Sequence, residues 1–100
     1  MLVDVTNVKA VGGHRIHVRF NDGAEGEIDL AEHISFTGVF EPHRDPTFFA
    51  KVFVHPEFRV ICWPNDTDFD SVSLYSLVTK QPIEAILAAQ SARERRASAA

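Results

Sequence analysis

The stretch His14-Arg15-Ile16-His17-Val18-Arg19-Phe20-Asn21-Asp22-Gly23-Ala24-Glu25-Gly26-Glu27-Ile28 decides the fold class. Ile16, Val18 and Phe20 alternate with Arg15, His17 and Arg19, and a period of two is that of a strand with one dry face and one wet face. Asn21-Asp22-Gly23 supplies a turn whose residues tolerate left-handed backbone, so Ala24 to Ile28 returns antiparallel. Upstream, Leu2 to Val11 is rich in Val and Thr and stops at Gly12-Gly13, which predicts a first strand and a turn. The expected result is a three-strand meander.

Downstream of the meander, Asp29 can cap a short helical turn through Leu30, Glu32 and His33. Ser35 to Pro42 mixes chain breakers with Phe36 and Phe40 and is expected to be a loop. Its aromatics either fold under the sheet, the favoured outcome for an isolated domain, or face a partner. Asp45-Pro46 is an N-cap followed by Pro at the first helical position, so a short helix presents Phe48, Phe49 and Val52 inward. Val52 to Val54 and Phe58 to Trp63 are expected to form a second strand pair joined through His55-Pro56-Glu57. A helix then begins at Ser71, capped by Asp70 or Ser71, with Val72, Leu74, Tyr75, Leu77 and Val78 as its apolar stripe. Pro82 opens a last helix in which Ile83, Ile86, Leu87 and Gln90 share a face. Ser91 to Ala100 lacks any such face and is expected to be a disordered tail. The chain therefore reads as α+β: a small antiparallel sheet (meander plus a second strand pair), short helices and a C-terminal helix. Residues 1–80 form the domain, and 81–100 the final helix and tail.

Composition narrows the function classes. At 100 residues the chain accommodates one domain and one modest core, for which a 45% hydrophobic share is ample. No apolar run reaches the roughly 20 residues that span a bilayer, and the start lacks the pattern of a secretory leader, so a cytoplasmic protein without membrane contact is expected. The single cysteine agrees with a reducing compartment and leaves no disulfide or multi-thiolate site. Residues 1–80 hold seven Lys/Arg against twelve Asp/Glu, and residues 81–100 three against two. An acidic body repels phosphate backbones, so nucleic acid is not the expected partner of the folded part. Arg93, Arg95 and Arg96 near the end are read as solubilising.

Candidate chemistry concentrates between Val60 and Asp70. Asp66, Asp68 and Asp70 have the spacing of the first three ligands of an EF-hand loop, but Ser71 stands where that loop needs Gly and Leu77 where it needs a bidentate Glu. Turn formation accounts for Asn65 and Asp66, and helix capping for Asp70, which leaves Asp68 without a structural task. The histidines give no chelating pair on a regular strand, because His14 and His17 point to opposite faces. Cys62, between Ile61 and Trp63, reads as an inert core thiol. Gly12-Gly13 precedes a strand and has no Gly-Lys-Ser/Thr, so no phosphate loop is present. No metal and no cofactor is expected. Trp63 with its surrounding aromatics is either core or an interface anchor.

The ordered series Val18-Arg19-Phe20-Asn21-Asp22-Gly23, Ile28-Asp29-Leu30, Gly38-Val39-Phe40, Asp45-Pro46 with Phe48 or Phe49, and Trp63-Pro64-Asn65 with Asp68 and Leu74-Tyr75 resembles a small bacterial family, the domain of unknown function numbered 2442. The resemblance spans about residues 3 to 78. It implies a small α+β domain similar to one found ahead of the helix-turn-helix module in some larger proteins. It also implies association with small toxin-like proteins encoded alongside some members. Three positions depart from the family pattern: Asp66 stands where Gly usually follows Trp-Pro-Asn, and Ser71 and Val72 where Pro and an acidic residue usually stand. No helix-turn-helix segment follows Gln90, so a DNA-reading role does not transfer.

The leading expectation is a non-catalytic interaction or regulatory domain. It would bind a basic protein encoded nearby, in the manner of an antitoxin, through Trp63, Asn65, Asp66 and Asp68, with Phe36, Phe40 and the final helix as additions. Two alternatives are a small metal-dependent enzyme using Asp66, Asp68 and Asp70, and a homodimer built on Pro82 to Gln90.

Overall fold

A computed structural model describes residues 3–89. The expectations for Leu2, for Gln90 and for the tail from Ser91 lie outside the described residues. The alternation around Val18 produces the predicted meander: β1 (Val5–Gly12), β2 (Arg15–Phe20) and β3 (Glu25–Asp29) form an antiparallel sheet in the order β1-β2-β3. Ile16, Val18 and Phe20 are fully buried on the inner face, joined by Val5 and Ile28. The wet face carries the pairs Arg15–Glu27 at 3.4 Å and Arg19–Glu25 at 4.0 Å. Exposed ion pairs of this kind contribute at most about 1 kcal/mol, so apolar burial holds the sheet in place.

Asp29 caps the 3-10 turn Leu30–Glu32 by accepting from the Ala31 amide at 3.0 Å. Within the loop expected over Ser35 to Pro42, a seven-residue 3-10 helix, Gly38–Arg44, starts on a left-handed Gly38. It folds its aromatics inward: Phe36 belongs to the core and Phe40 packs against it. Asp45 then caps α1 (Pro46–Phe49), accepting from the Thr47 amide at 2.9 Å, with Pro46 in the first turn as predicted.

The second sheet is larger than the expected pair. β4 (Phe53–Val54), β5 (Ile61–Cys62) and β6 (Asp68–Phe69) form an antiparallel sheet in that order. β4 and β5 are shorter than predicted because the chain turns tightly between them, with Arg59 in the left-handed region at φ 55°. The Arg59 carbonyl accepts from the Val5 amide at 2.8 Å and so ties the second sheet to β1.

Asp70 caps α2 (Ser71–Thr79), accepting from the Ser73 amide at 2.9 Å, and left-handed Lys80 closes it. α2 lies on β3, where Gly26 leaves room for Val78. Residues 83–89 are helical. Of the apolar side chains expected on one face, Ile86 enters the core while Ile83 and Leu87 remain exposed. Trp63, Phe20, Phe49, Ile61 and Leu74 are the large side chains at the centre, where both sheets and α2 meet.

Candidate binding surface at the β5–β6 hairpin

Trp63 to Thr67 is a three-residue hairpin loop. The Trp63 amide donates to the Thr67 carbonyl at 3.0 Å, and the Asp66 amide to the Trp63 carbonyl at 3.0 Å. Pro64 and Asn65 are thus the central residues of a tight turn, and Asp66 follows it with φ 67°. A turn followed by one left-handed residue is a standard solution for three-residue hairpins, and it favours Gly at that last position. Asp tolerates left-handed backbone better than most residues, so the loop closes with a carboxylate where Gly is preferred.

Inside the hairpin, the Asn65 side chain is committed to structure. Its Oδ1 accepts from the Thr67 hydroxyl at 2.7 Å and from the Thr67 amide at 3.3 Å. The Thr67 hydroxyl, having donated to Asn65, accepts from Nε2 of His43 at 3.0 Å. That fixes the proton of neutral His43 on Nε2. Nδ1 is buried and has no hydrogen-bond partner of good geometry among the described residues. Phe40, Phe48 and Trp63 surround this ring, with Trp63 edge-on at 4.4 Å between centroids. Burial lowers the His43 pKa from its ordinary 6.5; the Phe40 backbone opposes the shift and the nearby His14 adds to it.

Of the predicted site residues, Asp66 and Asp68 are exposed at the hairpin, whereas Trp63 is 1% exposed and acts from beneath. The Trp63 indole N–H donates to the Phe49 carbonyl at 2.9 Å. Phe36 is buried against His14 and Phe49, away from the surface. Phe40 is half-buried and reaches the hairpin through His43. Asp68, which had no structural task in the sequence, lies on β6 opposite Cys62. Sequence reasoning missed His43, which stands between Pro42 and Arg44; the aromatics at positions 36, 40 and 48 are the signal that it belongs inside.

Two grooves flank the hairpin tip. One, of about 490 Å³, lies between the tip and the 3-10 helix, lined by Val39, Phe40, Pro42 and residues 65–68. The other, of about 310 Å³, is walled by Phe53, His55, Pro56 and Phe58, with Cys62 and Trp63 at its base. Asp66 and Asp68 line both, and no Lys or Arg lines either among the described residues. Cys62 is a buried thiol whose pKa is raised by burial and then by the Asp68 and Asp66 charges, so it is a poor nucleophile. A larger cavity of about 680 Å³ lies between β3 and the end of α2, but there Arg15 and Lys80 stand among Glu27, Asp29 and Glu32, so its lining is of mixed charge. Among the described residues no three His, Cys, Asp or Glu side chains converge to hold a metal ion. Asp70, the third member of the aspartate series, is engaged as the α2 cap.

A family model described as "Protein of unknown function (DUF2442)" matches residues 5–80, all of both sheets and all of α2. The chain belongs to the DUF2442 family. No curated protein and no solved structure gives a significant match. For DUF2442 the matched span ends with α2, so the final helix with Ile86 in the core lies beyond it. Asp66 adopts the left-handed conformation that a Gly would take at no steric cost. Among the described residues no helix is long and apolar enough to cross a membrane.

Proposed function

We propose that this chain is a non-catalytic protein-interaction module of the cytoplasm, which uses the β5–β6 hairpin tip and its grooves to bind a basic protein. One observation carries the proposal: Asp66 and Asp68 are exposed on a hairpin held by buried hydrogen bonds, beside the exposed apolar side chains of Val39, Phe53 and Phe58. Exposed apolar area beside like charge that has no ion-pair partner among the described residues is the composition of an interface for an oppositely charged partner. In its specific form, implied by the family resemblance, the partner is a small toxin-like protein encoded nearby.

Co-expression with each neighbouring gene product, followed by purification, tests this. One neighbour is expected to co-purify, with at least tenfold loss of affinity in Asp66→Asn/Asp68→Asn and weakening by salt, since screening acts on exposed charges. Absence of any neighbour complex counts against the toxin-partner form, and a complex indifferent to both aspartates counts against the surface.

A second reading has its own observation. Ile83 and Leu87 are exposed one helical turn apart, while Ile86 on the same helix is buried. A homodimer through the final helix would cover them. Sedimentation over a concentration series, with Ile83→Lys/Leu87→Lys as the comparison, decides it: a dimer lost in the variant supports the assembly, and a monomer throughout rejects it.

A further inference from the structure

The register of the second sheet divides its side chains cleanly. Phe53 pairs with Cys62 and Cys62 with Asp68, while Val54 pairs with Ile61 and Ile61 with Phe69. Directly paired residues share a face, so Val54, Ile61 and Phe69 form the inner row, packed on the core. Phe53, Cys62 and Asp68 form the outer row. The groove of about 310 Å³ sits on this outer row, with an aromatic at one end and a carboxylate at the other.

The aromatic end is rigid. His55 Nδ1 accepts from the amides of Glu57 and Phe58, each at 3.1 Å, which locks the ring. Phe58 stacks on that ring at 4.5 Å and 22°, yet remains 63% exposed. Phe53, on the other side, is 43% exposed. At the acidic end, the Cys62 thiol in the floor feels the charges of both Asp68 and Asp66, so the two carboxylates act on the same small space.

An anion is repelled from such a groove, and a purely apolar group would leave two carboxylates to be desolvated without a partner. An ammonium meets the charge and can sit over a ring, but it is strongly hydrated and has neither a plane to lay on the aromatic face nor a fork for the carboxylates. A guanidinium does both: its plane lies on an aromatic face, and its N–H fork meets a carboxylate. We infer that the outer face of β4–β5–β6 is a subsite for an arginine side chain of the partner protein. This rests on the interaction surface proposed above and names the chemistry that surface recognises.

The test uses the ¹⁵N-labelled full chain titrated with acetyl-Gly-Arg-Gly-amide, and with the same peptide carrying citrulline, which keeps the shape and loses the charge. The arginine peptide is expected to shift the amide signals of Phe58, Cys62 and Asp68. Its affinity should fall about tenfold with citrulline, with Asp66→Asn/Asp68→Asn, and several-fold with Phe58→Ala. Phe58 is exposed enough that its truncation leaves the fold intact, which the remaining signals report. Equal binding of citrulline, shifts confined to other residues, or no shifts overturn the subsite. If Arg93→Gln/Arg95→Gln/Arg96→Gln moves the same three signals without peptide, the occupant is this chain's own terminal segment and the partner assignment is overturned. A neighbour complex that survives while the peptide fails to bind rejects the subsite and leaves the interaction surface standing.

Discussion

The His43 imidazole meets the Trp63 indole edge-on, with 4.4 Å between ring centroids and 72° between planes. One ring is a buried titratable group, and the other is the chain's single tryptophan. The tryptophan therefore stands in direct contact with a group whose charge changes with pH, and its emission reports on unfolding of the same core.

The burial of His43 sets a pH dependence. His43 has a lowered pKa in the fold, so below about 6.5 the unfolded chain binds more protons than the folded one, and stability falls as pH falls. The loss from this group reaches up to about 1.4 kcal/mol per pH unit until the ring itself protonates in the fold, and vanishes above the ordinary value. Urea unfolding followed by Trp63 emission at pH 7.5, 6.5 and 5.5 should show it. His43→Gln, which retains a donor for Thr67 but does not titrate, should have a flatter profile over the same range.

Trp63→Phe removes the donor to the buried Phe49 carbonyl and leaves a void at the junction of the two sheets. The Phe49 carbonyl keeps the Val52 amide at 3.3 Å as its remaining donor, so the cavity and the one lost hydrogen bond together predict a loss of about 2–4 kcal/mol. Since this variant has no tryptophan, circular dichroism under urea is the measurement.

Asp66 separates backbone strain from charge. Asp66→Gly relieves the left-handed conformation and should leave stability unchanged or raise it by up to about 1 kcal/mol, while Asp66→Val should cost about 1–2 kcal/mol. Both remove the carboxylate, so both should weaken a basic partner equally. Thermal melts and partner binding measured on the same pair of variants check the two halves.

Gly26 and Val78 report how closely α2 lies on β3. A Cβ at Gly26 would stand 3.1 Å from the Val78 Cγ1. Gly26→Ala therefore forces Val78 to give way, and Gly26→Val overpacks the contact by about 1–3 kcal/mol. In Gly26→Ala/Val78→Ala the steric conflict is gone, so the double variant should be more stable than the sum of the single effects predicts. Urea titrations of all four chains complete the cycle.

The sequence was legible where its information is local. Ile16, Val18 and Phe20 declare their face by period, and Asp29, Asp45 and Asp70 declare helix starts by capping chemistry, all as seen. β6 was not legible, and Asp66 is the reason. Pro-Asn followed by Gly would have announced a three-residue hairpin, but an Asp in the Gly position joins Asp68 and Asp70 in what reads as an acidic loop. The 3-10 helix was hidden by Gly38 and Pro42, which look like breakers when their pairing with a nonlocal core is unknown. His43 was hidden for the same reason, because its burial depends on Thr67, 24 residues away. At the candidate surface, the two exposed aspartates could be read from composition, but the aromatic wall opposite them required the register of β4 against β5.

The way the meander is closed has a consequence for synthesis of the chain. Its three strands are complete by Asp29, but the side chains that cover their inner face, Phe49, Ile61, Trp63 and Leu74, arrive only with α1, the second sheet and α2. A growing polypeptide that has emerged only through residue 45 can pair its strands but cannot cover Ile16, Val18, Phe20 and Ile28. The ribosome thus releases a sticky half-domain before it releases the lid, and the interval between the two is when chaperones or neighbouring nascent chains have access to it.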